Sequence, residues 1–252
     1  MKAKILNILV CSSLLSVSNA FAATTFWSDD FESGLGAWTQ GAQPLTLDTS
    51  GSYNIVPVGG LNSAYSDLSQ DRMYRSLGAE LAGYSTFSFY LYDSTLTRPY
   101  GQVLAYSGAG YTDGTLQQLF AIGKYNSATM PGETYDATKY QGRILYGSSA
   151  GWFNLNASGA PSRSTGWHKF TVERMDDGTT INFYVDDILG RSFTGATAAT
   201  WDSITLGFGT SSSVNGDAWY DGVLLQIPEP STFALSLLGG LGMLWTVRRR
   251  TA

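Results

Sequence analysis

The sequence predicts an all-β domain held between two targeting segments. Three observations carry this reading. Short runs rich in aromatic and β-branched residues recur along the chain, divided by Gly, Asn, Asp and Ser. No stretch sustains a helical period: the best helix candidate, 70–81, contains Gly78 and is followed by Gly83. The two ends have the layout of export and sorting segments rather than of a fold.

Composition supports the same class. The 252 residues include 29 glycines, 13% aromatics and only 14% charged residues, which suits a turn-rich β protein and excludes a disordered chain. Five of the 15 basic residues lie in the terminal segments, leaving ten bases against nineteen acids between them. A domain so acidic has no basic surface for phosphates, so a nucleic-acid partner is excluded. The one cysteine, Cys11, lies in the N-terminal segment, so the mature domain has no disulfide framework.

Taken in order, residues 1–22 form a signal peptide: Lys2 and Lys4 precede an apolar run, and Ala20-Phe21-Ala22 is a small-x-small cleavage site for the general secretion machinery. Residues 23–226 are the folded domain, of a size that a single sandwich or barrel can fill. Within it, 86–92 alternates as a strand, with Phe87, Tyr90 and Leu91 on both faces, and 117–124 is a further short run. The clearest unit is 169–193. Phe170, Val172 and, less cleanly, Arg174 lead into the Asp176-Asp177-Gly178 hairpin turn, and Ile181, Phe183 and Val185 alternate after it. A second tight connection follows at Asp186-Asp187. Strands at 203–209 and 218–224 close the domain, and the absence of an internal period excludes a propeller or solenoid.

The last 26 residues, 227–252, hold Pro228-Glu229-Pro230, an uncharged apolar run at 233–247, and Arg248, Arg249 and Arg250. As a helix the apolar run reaches about 22 Å at 1.5 Å per residue, a short transmembrane helix for a hydrocarbon core of about 30 Å. Adding Ser231 and Thr232 and letting the arginines snorkel allows it to span. The arginine cluster stays on the cytoplasmic side and leaves the domain outside.

In this order the pieces resemble the PEP-CTERM sorting signal. The resemblance covers about a tenth of the chain. It implies a Gram-negative cell, recognition and cleavage near the motif by an exosortase, transient anchoring in the inner membrane, and delivery to the cell surface or a biofilm matrix rich in exopolysaccharide.

A second resemblance covers most of the domain. Asp29-Asp30-Phe31-Glu32 with Trp38, the 166–172 run from Gly166 to Val172, and Trp219-Tyr220-Asp221-Gly222-Val223 are similar to strands of concanavalin A-like, laminin-G-like jelly rolls. This implies a two-sheet antiparallel jelly-roll sandwich whose last strand pairs near the first. It also implies a carbohydrate- or protein-binding role and a structural calcium ion, held where Asp29, Asp30 or Glu32 meets Asp221.

Catalytic chemistry is not expected. The glycosidases of this fold carry Glu-x-Asp-x-Glu or Glu-x-Asp-x-x-Glu on one strand, and no such run occurs. Glu32, Glu80, Glu133 and Glu173 are isolated, His168 is the only histidine, and no Gly-x-Ser-x-Gly elbow is present. The sequence therefore points to a non-catalytic surface or matrix protein that binds glycan. The alternatives are a polysaccharide hydrolase or lyase and a purely structural matrix component. Trp38, Trp167, Trp201 and Trp219 are expected in the core. Trp152, Tyr100, Tyr106 and Tyr111 lie in Gly-rich surroundings and are expected on the surface as ligand contacts. Asp176-Asp177 and Asp186-Asp187 read as turn formers.

Overall fold

A computed structural model of the chain describes residues 23–228, apart from 43, 54–58, 68–71, 95–97 and 208–216. The signal segment, Glu229, Pro230, the 233–247 run and Arg248 to Arg250 lie outside the described residues. Among those described, no helix is long and apolar enough to cross a membrane.

Fifteen strands are described. They are β1 (Ala23–Asp29), β2 (Thr39–Gln40), β3 (Thr46–Asp48), β4 (Ser63–Ser66), β5 (Arg72–Leu81), β6 (Ser85–Asp93), β7 (Tyr100–Ser107), β8 (Thr115–Gly123), β9 (Gln141–Tyr146), β10 (Ser149–Asn154), β11 (Gly166–Arg174), β12 (Thr180–Val185), β13 (Ile188–Thr194), β14 (Trp201–Gly207) and β15 (Ala218–Pro228). Sheet I runs β13-β12-β11-β6-β15-β4-β3, with β1 also on β15, and sheet II runs β10-β9-β8-β7-β14-β5-β2. All the pairings are antiparallel, so the architecture is the two-sheet jelly-roll sandwich that the sequence predicts. The weak helix candidate is strand β5.

Local chemistry explains the connections. The β11–β12 hairpin turns at Gly178, whose φ is +68°, and the Asp177 carboxylate accepts N–H bonds from Thr179 and Thr180 at 2.8 and 2.7 Å. The β12–β13 connection is a two-residue turn in which Asp186 and Asp187 both have positive φ, +51° and +62°. A type I′ turn requires this, and Asp tolerates it better than most residues. On β15 a bulge falls between Asp221 and Leu224, at Gly222. Before it β15 pairs with β4, and after it β15 pairs with β1, Asp29 facing Val223. The last strand thus returns to the first.

The core lies between the sheets. From sheet I come Phe87, Phe89 and Leu91 on β6, Phe170 and Val172 on β11, and Phe183 on β12. Sheet II supplies Val103, Phe120, Ile122, Ile144 and Ile204. Each such side chain removed from water stabilises the fold by roughly 1.5–3 kcal/mol before entropy is counted. The sheets approach so closely that a Cβ on Gly101 of β7 would lie 2.3 Å from the Phe89 ring.

Arg174 continues the inward alternation of Phe170 and Val172 and is fully buried. Its guanidinium donates to the Gly83, Leu81 and Ala199 carbonyls and to Ser85 Oγ, and lies 4.4 Å from the Trp201 ring centre. These partners explain how an arginine occupies a core position, and burial lowers its pKa to about 10.

Candidate functional site

The outward positions of sheet I are polar over much of β6 and β11, while one end of the face carries an aromatic row of Trp167, Tyr92, Trp219 and Tyr65. Along β6 the inward Phe87, Phe89 and Leu91 alternate with Thr86, Ser88 and Tyr90, and along β11 the inward Phe170 and Val172 alternate with Lys169, Thr171 and Glu173. Antiparallel register aligns these into rows. One row reads Tyr184, Thr171, Ser88, Leu224, Ser28 across β12, β11, β6, β15 and β1. The next carries Asn182, Glu173, Thr86 and Gln226.

Two adjoining hollows lie over these rows and share Ser88, Lys169 and Leu224. The larger, of about 680 Å³, is floored by Ser88 and Tyr90 and walled by Ser28 to Asp30 and by Ser33, Gly34, Gly36 and Ala37 of the following loop. The smaller, of about 330 Å³, reaches Thr86, Thr171, Glu173 and Tyr184. Gly34, Gly36 and Gly222 in the larger hollow leave backbone accessible.

The charged groups of the groove are held in place. Glu173 accepts O–H bonds from Tyr84 at 2.8 Å and Tyr184 at 2.7 Å, and an N–H bond from Asn182 at 3.1 Å. Desolvation, then the bond to Glu173, pushes the Tyr184 phenol up to about 12. Lys169 Nζ lies 2.8 Å from Asp187. Thr171 Oγ1 is buried and has no hydrogen-bond partner among the described residues.

The acids proposed for calcium are engaged separately. Asp29 accepts from the Phe31 N–H and from the Trp38 indole at 2.9 and 2.8 Å. Asp30 accepts from the Glu32 N–H at 3.2 Å. Glu32 Oε1 accepts from the Leu61 and Asn62 N–H groups, 2.8 Å each, and the fully buried Asp221 accepts from the Gly222 N–H at 2.6 Å. Among the described residues no three His, Cys, Asp or Glu side chains are grouped to hold a metal ion. Calcium needs several oxygens directed at one point, and these four acids do not fit it.

The four aromatic candidates are gathered by the fold, on the outward side of sheet II, but two are not exposed. Trp152 and Tyr100 are 5% and 4% accessible. Tyr125 stacks flat on Trp152 at 3.7 Å, Tyr100 meets its edge at 5.0 Å, and the Arg143 guanidinium lies 5.7 Å from it. Tyr106 and Tyr111 are half-buried, with Tyr111 stacked on Tyr74 at 4.1 Å. Gly-rich neighbours signalled freedom, but the glycines let loops fold back over these rings. Of the tryptophans expected inside, Trp38, Trp201 and Trp219 are buried, while Trp167 is half-buried and edge-on to Tyr92 at 5.6 Å.

His168 sits between Asp186, 2.7 Å from Nδ1, and Ser164, whose Oγ and carbonyl O are each 3.0 Å from Nε2. The order Ser-His-Asp is that of a nucleophilic relay. The carbonyl beside Nε2 argues otherwise: a proton on Nε2 satisfies it, and a general base must lack that proton. The ring thus ties the 164 loop to the β12–β13 turn, and the contact to the Asp186 carboxylate favours its protonated form. Burial opposes that charge, but the bonds to Asp186 and Ser164 prevail and raise the pKa above 6.5. Tyr140 lies 5.3 Å from the His168 ring, yet it is fully buried and its hydroxyl is 3.3 Å from the Ser164 carbonyl. That His-Tyr pair faces the core, away from the groove.

Sequence reasoning missed the groove residues Ser88, Tyr90, Thr171 and Tyr184 and treated Glu173 as isolated. The signal was present in the polar half of the alternation, Thr86/Ser88/Tyr90 and Lys169/Thr171/Glu173, which was read only for its apolar half.

Comparison with known proteins adds two findings. No curated protein sequence matches the chain. Among solved structures, the chain is similar to a Bacillus licheniformis beta-glucanase, with 17% identity, TM-score 0.46, and 79% of this chain and 96% of that one covered. It is similar to domain 4 of the extracellular arabinanase AbnA from Geobacillus stearothermophilus, in complex with arabinotriose (12%, TM-score 0.44, 82% and 93%). It is also similar to the botulinum neurotoxin serotype G binding domain (12%, TM-score 0.41), where it covers 87% of this chain but about half, 51%, of that one. None of these likenesses extends to a function. Residues 226–250 match the PEP-CTERM protein-sorting motif, which overlaps the last three residues of β15. The chain is thus an exported exosortase substrate, transiently anchored in a membrane, that carries a PEP-CTERM protein-sorting motif behind a jelly-roll sandwich.

Proposed function

We propose that the sandwich is a non-catalytic glycan-binding module, delivered by its sorting motif to the surface or extracellular matrix of a Gram-negative cell. The observation that carries this reading is the groove of sheet I: an open hollow of about 680 Å³ with serine, tyrosine, aspartate and lysine side chains presented around a strand floor. Sugars offer many hydroxyls and small apolar faces, and such a floor answers both without distortion. A non-catalytic role is supported by the hydrogen-bonded restraint of Glu173 and by the engagement of both ring nitrogens of His168. Exopolysaccharide is the natural ligand class for a protein sorted in this way.

The test is calorimetric titration of the purified protein with oligosaccharides, alongside Tyr90→Ala and Ser88→Ala variants. Binding that weakens at least tenfold in Tyr90→Ala while the melting temperature holds supports the groove as the site. Progressive shortening of the oligosaccharide during titration makes the protein an enzyme and ends the non-catalytic reading.

A further inference from the structure

We infer that the glycan bound in the sheet I groove carries free amines, as a glucosamine polymer does. The inference rests on the glycan-binding reading above and names its ligand class. The two hollows are lined by four carboxylates, Asp29, Asp30, Glu173 and Asp187, against one base, Lys169. Lys169 is itself joined to Asp187 at 2.8 Å, so the groove keeps a net excess of three negative charges and has no arginine in its lining.

The bases are partly segregated, although Arg75 donates to the Ala37 carbonyl in the groove wall. Three of the ten bases of the domain, Arg72, Arg98 and Arg143, lie over the Tyr111, Tyr125 and Trp152 rings on the opposite sheet. A polyanionic glycan entering the groove would face like charge with little to offset it, whereas ammonium groups find acceptors there.

Placement favours a repeating cation. Asp29 and Asp30 stand at the end of β1, and Glu173 stands on β11, three strand spacings away by way of β15 and β6. At about 4.8 Å per spacing, with about 10 Å more along the strands from the Gln226 position in the Glu173 row to the Val223 position that faces Asp29, these strand positions are about 18 Å apart. A chain with an amine on each ring meets both ends at once. Asp30 is exposed, and only its Oδ1 is engaged, by the Glu32 N–H, so the other oxygen is available to an ammonium.

A sugar, rather than a basic peptide, is favoured by what lies between the charges. Thr86, Ser88, Thr171 and Tyr90 form a hydroxyl floor, and Thr171 Oγ1 is a buried hydroxyl without a partner among the described residues. Ring hydroxyls both donate and accept and satisfy such groups, while lysine side chains only donate.

The experiment titrates the full-length protein with four probes: a fully deacetylated glucosamine hexamer, its N-acetylated counterpart, an oligogalacturonate and hexalysine. Salt is varied from about 50 to 300 mM, across which exposed charge pairs are increasingly screened. The glucosamine hexamer should bind at least tenfold tighter than the N-acetylated one and lose that margin in high salt. Asp30→Asn should bring it down to the N-acetylated level without lowering the melting temperature, and Glu173→Gln should do so with a lower melting temperature, because it also removes an acceptor from Tyr84 or from Tyr184 and Asn182. Equal binding of the two hexamers, or binding of oligogalacturonate, overturns the amine preference and leaves the glycan reading standing. Hexalysine binding as tightly as the glucosamine hexamer overturns the sugar assignment. No binding by any of the three glycans overturns both readings.

Discussion

The outward faces of the two sheets are made from the same kind of alternating strand, yet they differ in what covers them. On sheet I, Ser88, Tyr90, Lys169 and Leu224 open onto two hollows. On sheet II the corresponding row reads Trp152, Arg143, Ala121, Gln102, Thr205 and Tyr74. There Ala121, Gln102 and Thr205 are 0%, 5% and 1% accessible, although they point away from the core. Tyr125 and Tyr111, from the loops after β8 and β7, lie on that face. A polar face stays open because packing a loop on it would strand its hydroxyls. An aromatic face invites cover because each ring buried adds stability.

That difference can be broken experimentally. The largest expected effect is at Trp152. Replacing it with Ala removes a ring held by Tyr125, Tyr100 and Arg143 and should cost about 3–5 kcal/mol, as for other large-to-small core changes. Denaturant unfolding measures the loss. Groove binding should be unaltered in the folded fraction, whereas a stable Trp152→Ala protein that fails to bind glycan would make sheet II the site after all.

A smaller effect should follow pH at His168. Its folded pKa lies above the unfolded value, so the tie contributes fully below about pH 6.5 and fades as pH rises through the folded pKa. The wild type should therefore melt a few degrees lower at pH 8.5 than at pH 5.5, relative to His168→Gln. Parallel pH profiles for the two proteins would dismiss the tie. The smallest effect concerns calcium: a chelator should leave the melting temperature unchanged, because native-state binding must raise it and no group of acids among the described residues is assembled to bind. A drop on chelation would restore the ion.

Much of the sandwich was legible in advance. Phe170, Val172, Ile181, Phe183 and Val185 alternate cleanly, and Asp-Gly punctuates the hairpin, because strand period and turn conformation are local properties of the chain. Arg174 was the exception that local rules could not place: its burial depends on the Leu81, Gly83 and Ala199 carbonyls, which come from two other segments. The groove was less legible for the same reason. Ser88, Thr171 and Tyr184 lie on three strands up to 96 residues apart, and only register puts them in one row.

By itself the sequence determined the all-β class, the hairpins and the sorting motif at the C-terminal end, since each rests on short-range pattern. Tertiary structure alone decided which sheet face stays open, that Trp152 and Tyr100 are covered, and that Glu173 joins a groove with Asp30. Those outcomes depend on which loops find apolar surface to bury and on the register of strands distant in the chain, and neither is written in any one stretch of residues.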